Sequence, residues 1–103
     1  MTQPAMIDPS LSPSELPLEQ WAQAMQSRLQ ARLQATQLQV LDESYKHAGH
    51  AGANGLGFGT HFRVRIASPM FTDMPRVKRH RLVYDALQDF FDQGVHALAI
   101  ELF

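Results

Sequence analysis

A strand–helix–strand succession at the C-terminal end restricts this chain more than any other part of it. Residues 60–68, THFRVRIAS, alternate, with Phe62, Val64 and Ile66 facing one way and His61, Arg63 and Arg65 the other. Such alternation marks a half-buried strand. Residues 74–93, MPRVKRHRLVYDALQDFFDQ, carry Val77, Val83, Tyr84, Leu87, Phe90 and Phe91 on one side, together with His80. That is a single apolar stripe at helical spacing. Pro75 suits a first helical turn, Asp73 is the expected N-cap, and Gly94 is the expected left-handed stop. A second strand follows in VHALAIEL, residues 95–102. About 20 helical residues span about the same 30 Å as nine strand residues. The two strands should therefore be parallel, with a right-handed crossover.

The N-terminal half adds a helix and one more strand. Residues 1–16, with Pro4, Pro9 and Pro13 among small polar residues, read as a loose arm before a domain over 17–103. A helix is expected from near Pro17, since Leu18, Trp21, Ala22, Met25, Leu29 and Leu33 recur at three- and four-residue steps. Glu15 and Glu19 near its start, and Arg28 and Arg32 toward its end, suit the helix dipole. Residues 38–42, LQVLD, read as a short strand. The following 43–59 segment, ESYKHAGHAGANGLGFG, is a loop by composition. It is glycine-rich like a phosphate loop but lacks the Lys-Ser/Thr ending and opens no helix, which excludes a P-loop. A loop joining two strands makes them antiparallel neighbours. The expected fold is thus α+β: α-β-β-α-β, a three-stranded mixed sheet with helices on one face.

This topology gathers histidines. His47, His50 and His61 in or beside the loop, and His96 at the start of the last strand, should share one sheet edge, while His80 faces the core as a satisfied histidine. With no cysteine the chain can form no disulfide and offers no thiolate to a metal. No run approaches the ~18 apolar residues of a membrane span, and no secretory signal is visible, so a cytoplasmic protein is expected. Net charge is −1, yet between Arg63 and Arg81 basic residues far outnumber Asp73, the one acid. Along residues 74–93 the basic half precedes the acidic half, against the helix dipole, which points to a partner for the basic end. No nucleophile–base pair or paired carboxylates stand out, so no enzymatic activity is expected.

The segments LDESYKHAGH, THFRVRIAS, KRHRLVYDAL and VHALAI, in this order and spacing, resemble the BolA family of small stress-response and iron-homeostasis proteins. The likeness runs from about Leu38 to Leu102. It implies a fold similar to type II KH domains and a non-enzymatic partner of monothiol glutaredoxins. In such a pair a [2Fe–2S] cluster is shared, the glutaredoxin and glutathione giving thiolates and the BolA-like chain giving histidine nitrogen; the isolated chain holds none. By the same resemblance the ligands here are His96, in the Val-His-Ala-Leu motif, and His47 from the loop, with His50 close enough to compete. Two positions depart from the family pattern: Gly59 stands where an acid is usual, and Thr72-Asp73 where a glycine is common.

Some family members are described as transcriptional regulators that bind DNA. That reading would use Arg63, Arg65, Arg76, Lys78, Arg79 and Arg81, with weak and salt-sensitive affinity. A KH domain clamps nucleic acid with a GXXG loop, and the turn PMFTDMPR has no such glycines. This favours the cluster-sharing reading. His61 is expected to be an ordinary surface histidine on the outer sheet face. No membrane partner is expected, and the sequence leaves a homodimer open.

Overall fold

The computed structural model describes residues 7–44 and 59–102. Two 3-10 turns, Pro13–Glu15 and Leu18–Gln20, lead into α1 (Trp21–Leu33), followed by β1 (Gln37–Asp42) and β2 (His61–Ala67). A 3-10 turn at Pro69–Phe71 precedes α2 (Arg76–Ala86) and α3 (Gln88–Asp92), and β3 (Ala97–Leu102) closes the fold. The sheet order is β1-β2-β3. β1 is antiparallel to β2, with Val40 opposite Val64, and β3 is parallel to β2, with Ile100 beside Val64. This is the mixed α+β arrangement expected from the sequence.

The alternation in β2 sorts its side chains as read. Phe62, Val64 and Ile66 are buried among Met25, Leu29 and Leu33 of α1, Val83 and Ala86 of α2, Leu87 and Phe90. Trp21 packs edge-on to Phe90, with ring centroids 5.5 Å apart. Fully burying side chains of this size contributes about 1.5–3 kcal/mol each.

The long C-terminal helix does not run unbroken from 74 to 93. Leu87 leaves helical geometry (φ −113°, ψ 15°) and separates α2 from α3. The Phe90 N–H, which would bond to Ala86 in a continuous helix, donates instead to the Leu87 carbonyl at 3.0 Å and to Asp89 Oδ1 at 3.1 Å. The break releases the Ala86 carbonyl and lets both Leu87 and Phe90 reach the core, each fully buried. The apolar stripe is also rotated from its expected position. Val83 and Ala86 point inward, so Val77 falls on the outer side and is exposed, while Tyr84 lies at the flank, part of its ring exposed and its hydroxyl donating to the Leu98 carbonyl of β3 at 3.2 Å. His80 is half-buried and does not belong to the core.

The start of α2 differs as well. Asp73 is not the N-cap: it adopts a left-handed φ of 60°, and Pro75 takes the cap position without a side-chain bond. A left-handed residue explains why glycine suits this turn, and Asp is among the residues that tolerate it. Arg79 Nε donates to the Met74 carbonyl at 2.7 Å, tying the turn to the helix.

Residues 7–16, read from the sequence as part of a loose arm, lie against the domain. Pro13 is buried, and Ile7 and Leu16 pack on the core. The Trp21 indole N–H is shared between the carbonyls of Pro13 (3.2 Å) and Leu16 (3.3 Å). Buried Arg28 holds the rest. Its Nε donates to the Pro9 carbonyl (2.6 Å) and its Nη2 to the Leu11 carbonyl (2.9 Å). Its Nη1 donates to the released Ala86 carbonyl (3.0 Å), and the fork grips Asp89 Oδ1 (2.7 Å) and Oδ2 (3.0 Å). The sequence suggested only a dipole-matching cation at Arg28.

Candidate functional site

The loop that β1 feeds and β2 receives is closed at its base by a side-chain clamp. Asp42 Oδ1 accepts the Ser44 hydroxyl at 2.5 Å and the Ser44 N–H at 2.9 Å. Asp42 Oδ2 accepts the Gly59 N–H from the returning strand at 3.0 Å. The buried Ser44 Oγ accepts the N–H groups of Thr60 (2.9 Å) and His61 (3.1 Å). The Glu43 N–H donates to the His61 carbonyl at 2.8 Å. The last ladder bonds of an antiparallel pair are thereby continued by side chains where the strands diverge. Asp-x-Ser after a strand is a turn signal of this kind.

The same base holds His96. The Thr60 carbonyl accepts the N–H groups of His96 (2.7 Å) and Ala97 (3.1 Å), which fixes the entry to β3 beside the entry to β2. The His96 side chain is exposed. Its ring lies 5.4 Å from the ring of His61, centroid to centroid, tilted by 51°. His61 is not a surface residue: it is 8% exposed, and its Nδ1 is 2.9 Å from Thr60 Oγ1. Strand parity does direct it outward with Arg63 and Arg65. At the strand's first residue, however, the clamp and His96 cover that face.

The structure therefore brings His61 and His96 together at one edge. His47 and His50 lie outside the described residues. Chemically the edge offers an exposed imidazole, His96, on an anchored backbone, backed by a second imidazole. Neutral imidazole nitrogen is a suitable ligand for iron and similar metals. Among the described residues no group of three or more potential ligands gathers to hold a metal ion.

Glycine is required at position 59. Its φ is +82°, and a Cβ there would come within 2.6 Å of Leu18 Cδ2. The turn before α1 thus packs directly on the returning end of the loop.

The six basic residues divide between two surfaces. Arg63 and Arg65 lie on the open sheet face. Arg63 Nη1 pairs with Glu101 at 2.8 Å and its Nε with Glu43 at 3.2 Å. Arg65 Nε lies 3.4 Å from Glu101, and its Nη1 donates to Gln39 at 3.3 Å. The hydrogen bond from Arg63 holds the Glu101 carboxyl below its usual range, and the bond to Glu101 raises Arg63. Counting charge along the sequence missed these acids, because they come from β3 and the end of β1. Arg76, Lys78, Arg79 and Arg81 belong to α2. Of these, Arg76, Lys78 and Arg81 are exposed. Among the described residues no helix is long and apolar enough to cross a membrane.

Comparison with known proteins places these features in context. The profile of the BolA-like protein family matches residues 29–103. Protein BOLA1, chloroplastic, from Arabidopsis thaliana is 48% identical over 81% of the chain and 52% of its own length. SufE-like protein 1 of the same plant is 47% identical over 74% of the chain, but only 21% of its own length is covered. The chain thus spans about half of the first relative and about a fifth of the second. The DNA-binding transcriptional regulator BolA of Escherichia coli is 35% identical over 77% of the chain and 70% of its length. Among solved structures, the BolA domain of SufE1 from Arabidopsis superposes with a TM-score of 0.70 at 41% identity, covering 80% of this chain and 88% of that one.

Proposed function

The chain belongs to the BolA-like protein family, and from that membership we propose that it is a non-enzymatic partner of a monothiol glutaredoxin, lending histidine nitrogen to a shared [2Fe–2S] cluster. The observation that carries the reading is the placement of His96: exposed, with its backbone hooked to Thr60. The clamp closes the loop against the same residue. A chain without cysteine offers such a cluster no thiolate, and an accessible imidazole on a fixed backbone fits the part that remains. When bound, the cluster supplies iron with affinity for imidazole, and mixed histidine–cysteine ligation raises its potential.

Each residue has a physical task. His96 presents the nitrogen, and Thr60 sets where its backbone stands. His61 limits the directions the His96 ring can take. His47 or His50 is the second ligand; His47 follows Ser44 by three residues, a reach of at most about 11 Å. Glutaredoxin and glutathione supply the thiolates.

The test mixes the chain with a glutaredoxin carrying its cluster and follows visible absorption and circular dichroism. The parent chain should change the spectrum and form a mixed complex. His96→Ala should abolish both and leave the far-ultraviolet spectrum intact, because the bond to Thr60 uses the main chain. An unchanged cluster spectrum in His96→Ala would sink the assignment.

A second reading, a DNA-binding regulator, is favoured by one observation: Arg76, Lys78 and Arg81 are exposed on α2 and form no ion pair among the described residues. The pairing of Arg63 and Arg65 with carboxylates weakens it, since those acids would repel phosphate. With only a few phosphate contacts available, the logarithm of affinity should fall by about 0.9 per contact per decade of salt. Binding that survives high salt, and is lost in a Lys78→Ala, Arg81→Ala variant, would make this the better reading.

A further inference from the structure

The outer face of α2 carries an apolar strip that the described chain covers only in part: Val77 stands free, while the Tyr84 ring lies 5.3 Å from that of Phe91 and its hydroxyl donates to the Leu98 carbonyl at 3.2 Å, leaving the rest of the ring in solvent. Val77 is 67% exposed and Tyr84 38% exposed. Seven residues apart, they point the same way at 3.6 residues per turn. Arg81 lies between them, while Lys78 and Asp85 flank the strip on its Arg81 side, and all three are exposed. None of the three forms an ion pair among the described residues. Along this face the first half is positive and the second negative.

A surface whose charge changes sign along its length is complementary to itself reversed. We infer that α2 is a self-association surface, on which two copies of the chain pair antiparallel about a two-fold axis. In that arrangement Val77 of each copy packs on Tyr84 of the other. An antiparallel pair also brings like flanks together, so Lys78 of each copy meets Asp85 of the other. Arg81, near the axis, reaches the same carboxylate. The contact is isologous, made twice by the same residues. The basic-first order that opposes the helix dipole then has a reason, because each basic half faces an acidic half. A phosphate backbone would instead leave Val77 and Tyr84 wet and meet Asp85 unfavourably, so a second copy is the occupant the face fits. The inference involves neither His96 nor the loop and is independent of the cluster-sharing role.

One helical strip per protomer is at the small end of specific interfaces, and the dissociation constant should be on the order of 0.1 mM. Sedimentation equilibrium over a concentration series is the test. The parent chain should pass from monomer to dimer, and raising salt should weaken the dimer, since its charge pairs sit at the edge. Lys78→Glu should sediment as a monomer, because the exchange sets a carboxylate opposite Asp85 of the other copy. Asp85→Lys should do the same, because it sets a second ammonium opposite Lys78. Mixed in equal amounts, the two variants should recover a dimer through the contact that joins their exchanged positions, where opposite charges meet again. Val77→Asp should remove dimerisation in every mixture. Both charged positions are exposed, so far-ultraviolet circular dichroism should confirm folded variants.

A parent chain that remains monomeric up to millimolar concentration would overturn the inference. So would single variants that dimerise like the parent, or a mixture that stays monomeric. If the chain associates through α2 only when a DNA duplex is added, the face belongs to nucleic acid and the inference fails.

Discussion

Arg28→Ala should be among the most destabilising single exchanges in this chain, although the residue reads in the sequence as an ordinary helix-end cation. Its guanidinium uses all five N–H donors on the carbonyls of Pro9, Leu11 and Ala86 and on both oxygens of Asp89. It also lies 5.2 Å from the centroid of the Phe90 ring. Removal strands Ala86, whose carbonyl lost its helical partner at the Leu87 break; an unpaired buried acceptor costs about 1–3 kcal/mol. Pro9 and Leu11 are half-buried and can recover water, so their loss is about 0.5–1 kcal/mol each. The Asp89 side chain is 42% exposed, and its share must be discounted for screening to about 1 kcal/mol or less. Together these span about 2–6 kcal/mol, with a middle value of about 4 kcal/mol, in line with breaking a buried charge pair and a large fraction of the roughly 5–15 kcal/mol typical of a domain.

Urea unfolding read by Trp21 fluorescence suits this test, because the indole is buried against Phe90 and bonded to the same N-terminal segment. With a slope of about 1.2 kcal/mol per molar, that middle value lowers the midpoint by about 3 M. Arg28→Lys keeps the charge but loses the fork, and should fall between Arg28→Ala and the parent. Asp89→Asn should cost least, about 1 kcal/mol. If Arg28→Ala shifts the midpoint by less than about 0.5 M, or no more than Asp89→Asn does, Arg28 is only a surface ion pair and the reasoning fails.

Acid should act on the same cluster. Burial pushes the Asp89 carboxyl up, but the hydrogen bonds and charge of Arg28 outweigh it and leave the pKa below its usual value. A depressed native pKa means the contribution is complete above the unfolded value of ~3.9 and is lost as pH falls through the native one. Unfolding midpoints measured from about pH 6 down to about pH 2 should therefore drop less steeply in Arg28→Ala than in the parent. Gly59→Ala should cost about 2–3 kcal/mol, from a left-handed φ and a clash with Leu18, and a parallel Leu18→Ala, Gly59→Ala variant should recover the packing part in chemical denaturation. Asp73→Gly should stabilise the fold by up to about 1 kcal/mol, seen as a slightly higher urea midpoint, because it relieves a left-handed non-glycine residue at φ 60°. Ser44→Ala should leave the Thr60 and His61 amides without their acceptor, and faster hydrogen exchange at those two amides, with the β1–β2 ladder still protected, is the expected result.

Much of the fold was legible in one dimension because its signals are periodic. Period-two alternation at Phe62, Val64 and Ile66 fixed the inward face of β2, and helical spacing from Trp21 to Leu33 fixed that of α1. Parallel pairing of β2 with β3 followed from chain length and crossover geometry. The convergence of His61 and His96 at one edge followed from the same topology.

What the sequence left undetermined depends on contacts between residues far apart in the chain. Nothing local marks Leu87 as a helix break, because its cause is the joint burial of Leu87 and Phe90 and a released carbonyl to which an arginine on another helix donates. His61 obeys strand parity and is nevertheless buried, because a strand's end is covered by whatever enters beside it, here Ser44, Thr60 and His96. Arg63 and Arg65 read as free cations until the register set Glu101 alongside and Glu43 at the end of the neighbouring strand. Sequence periodicity determines which way a side chain points. Only the tertiary structure decides what it meets there, since burial and charge pairing are set by neighbours that local spacing does not encode.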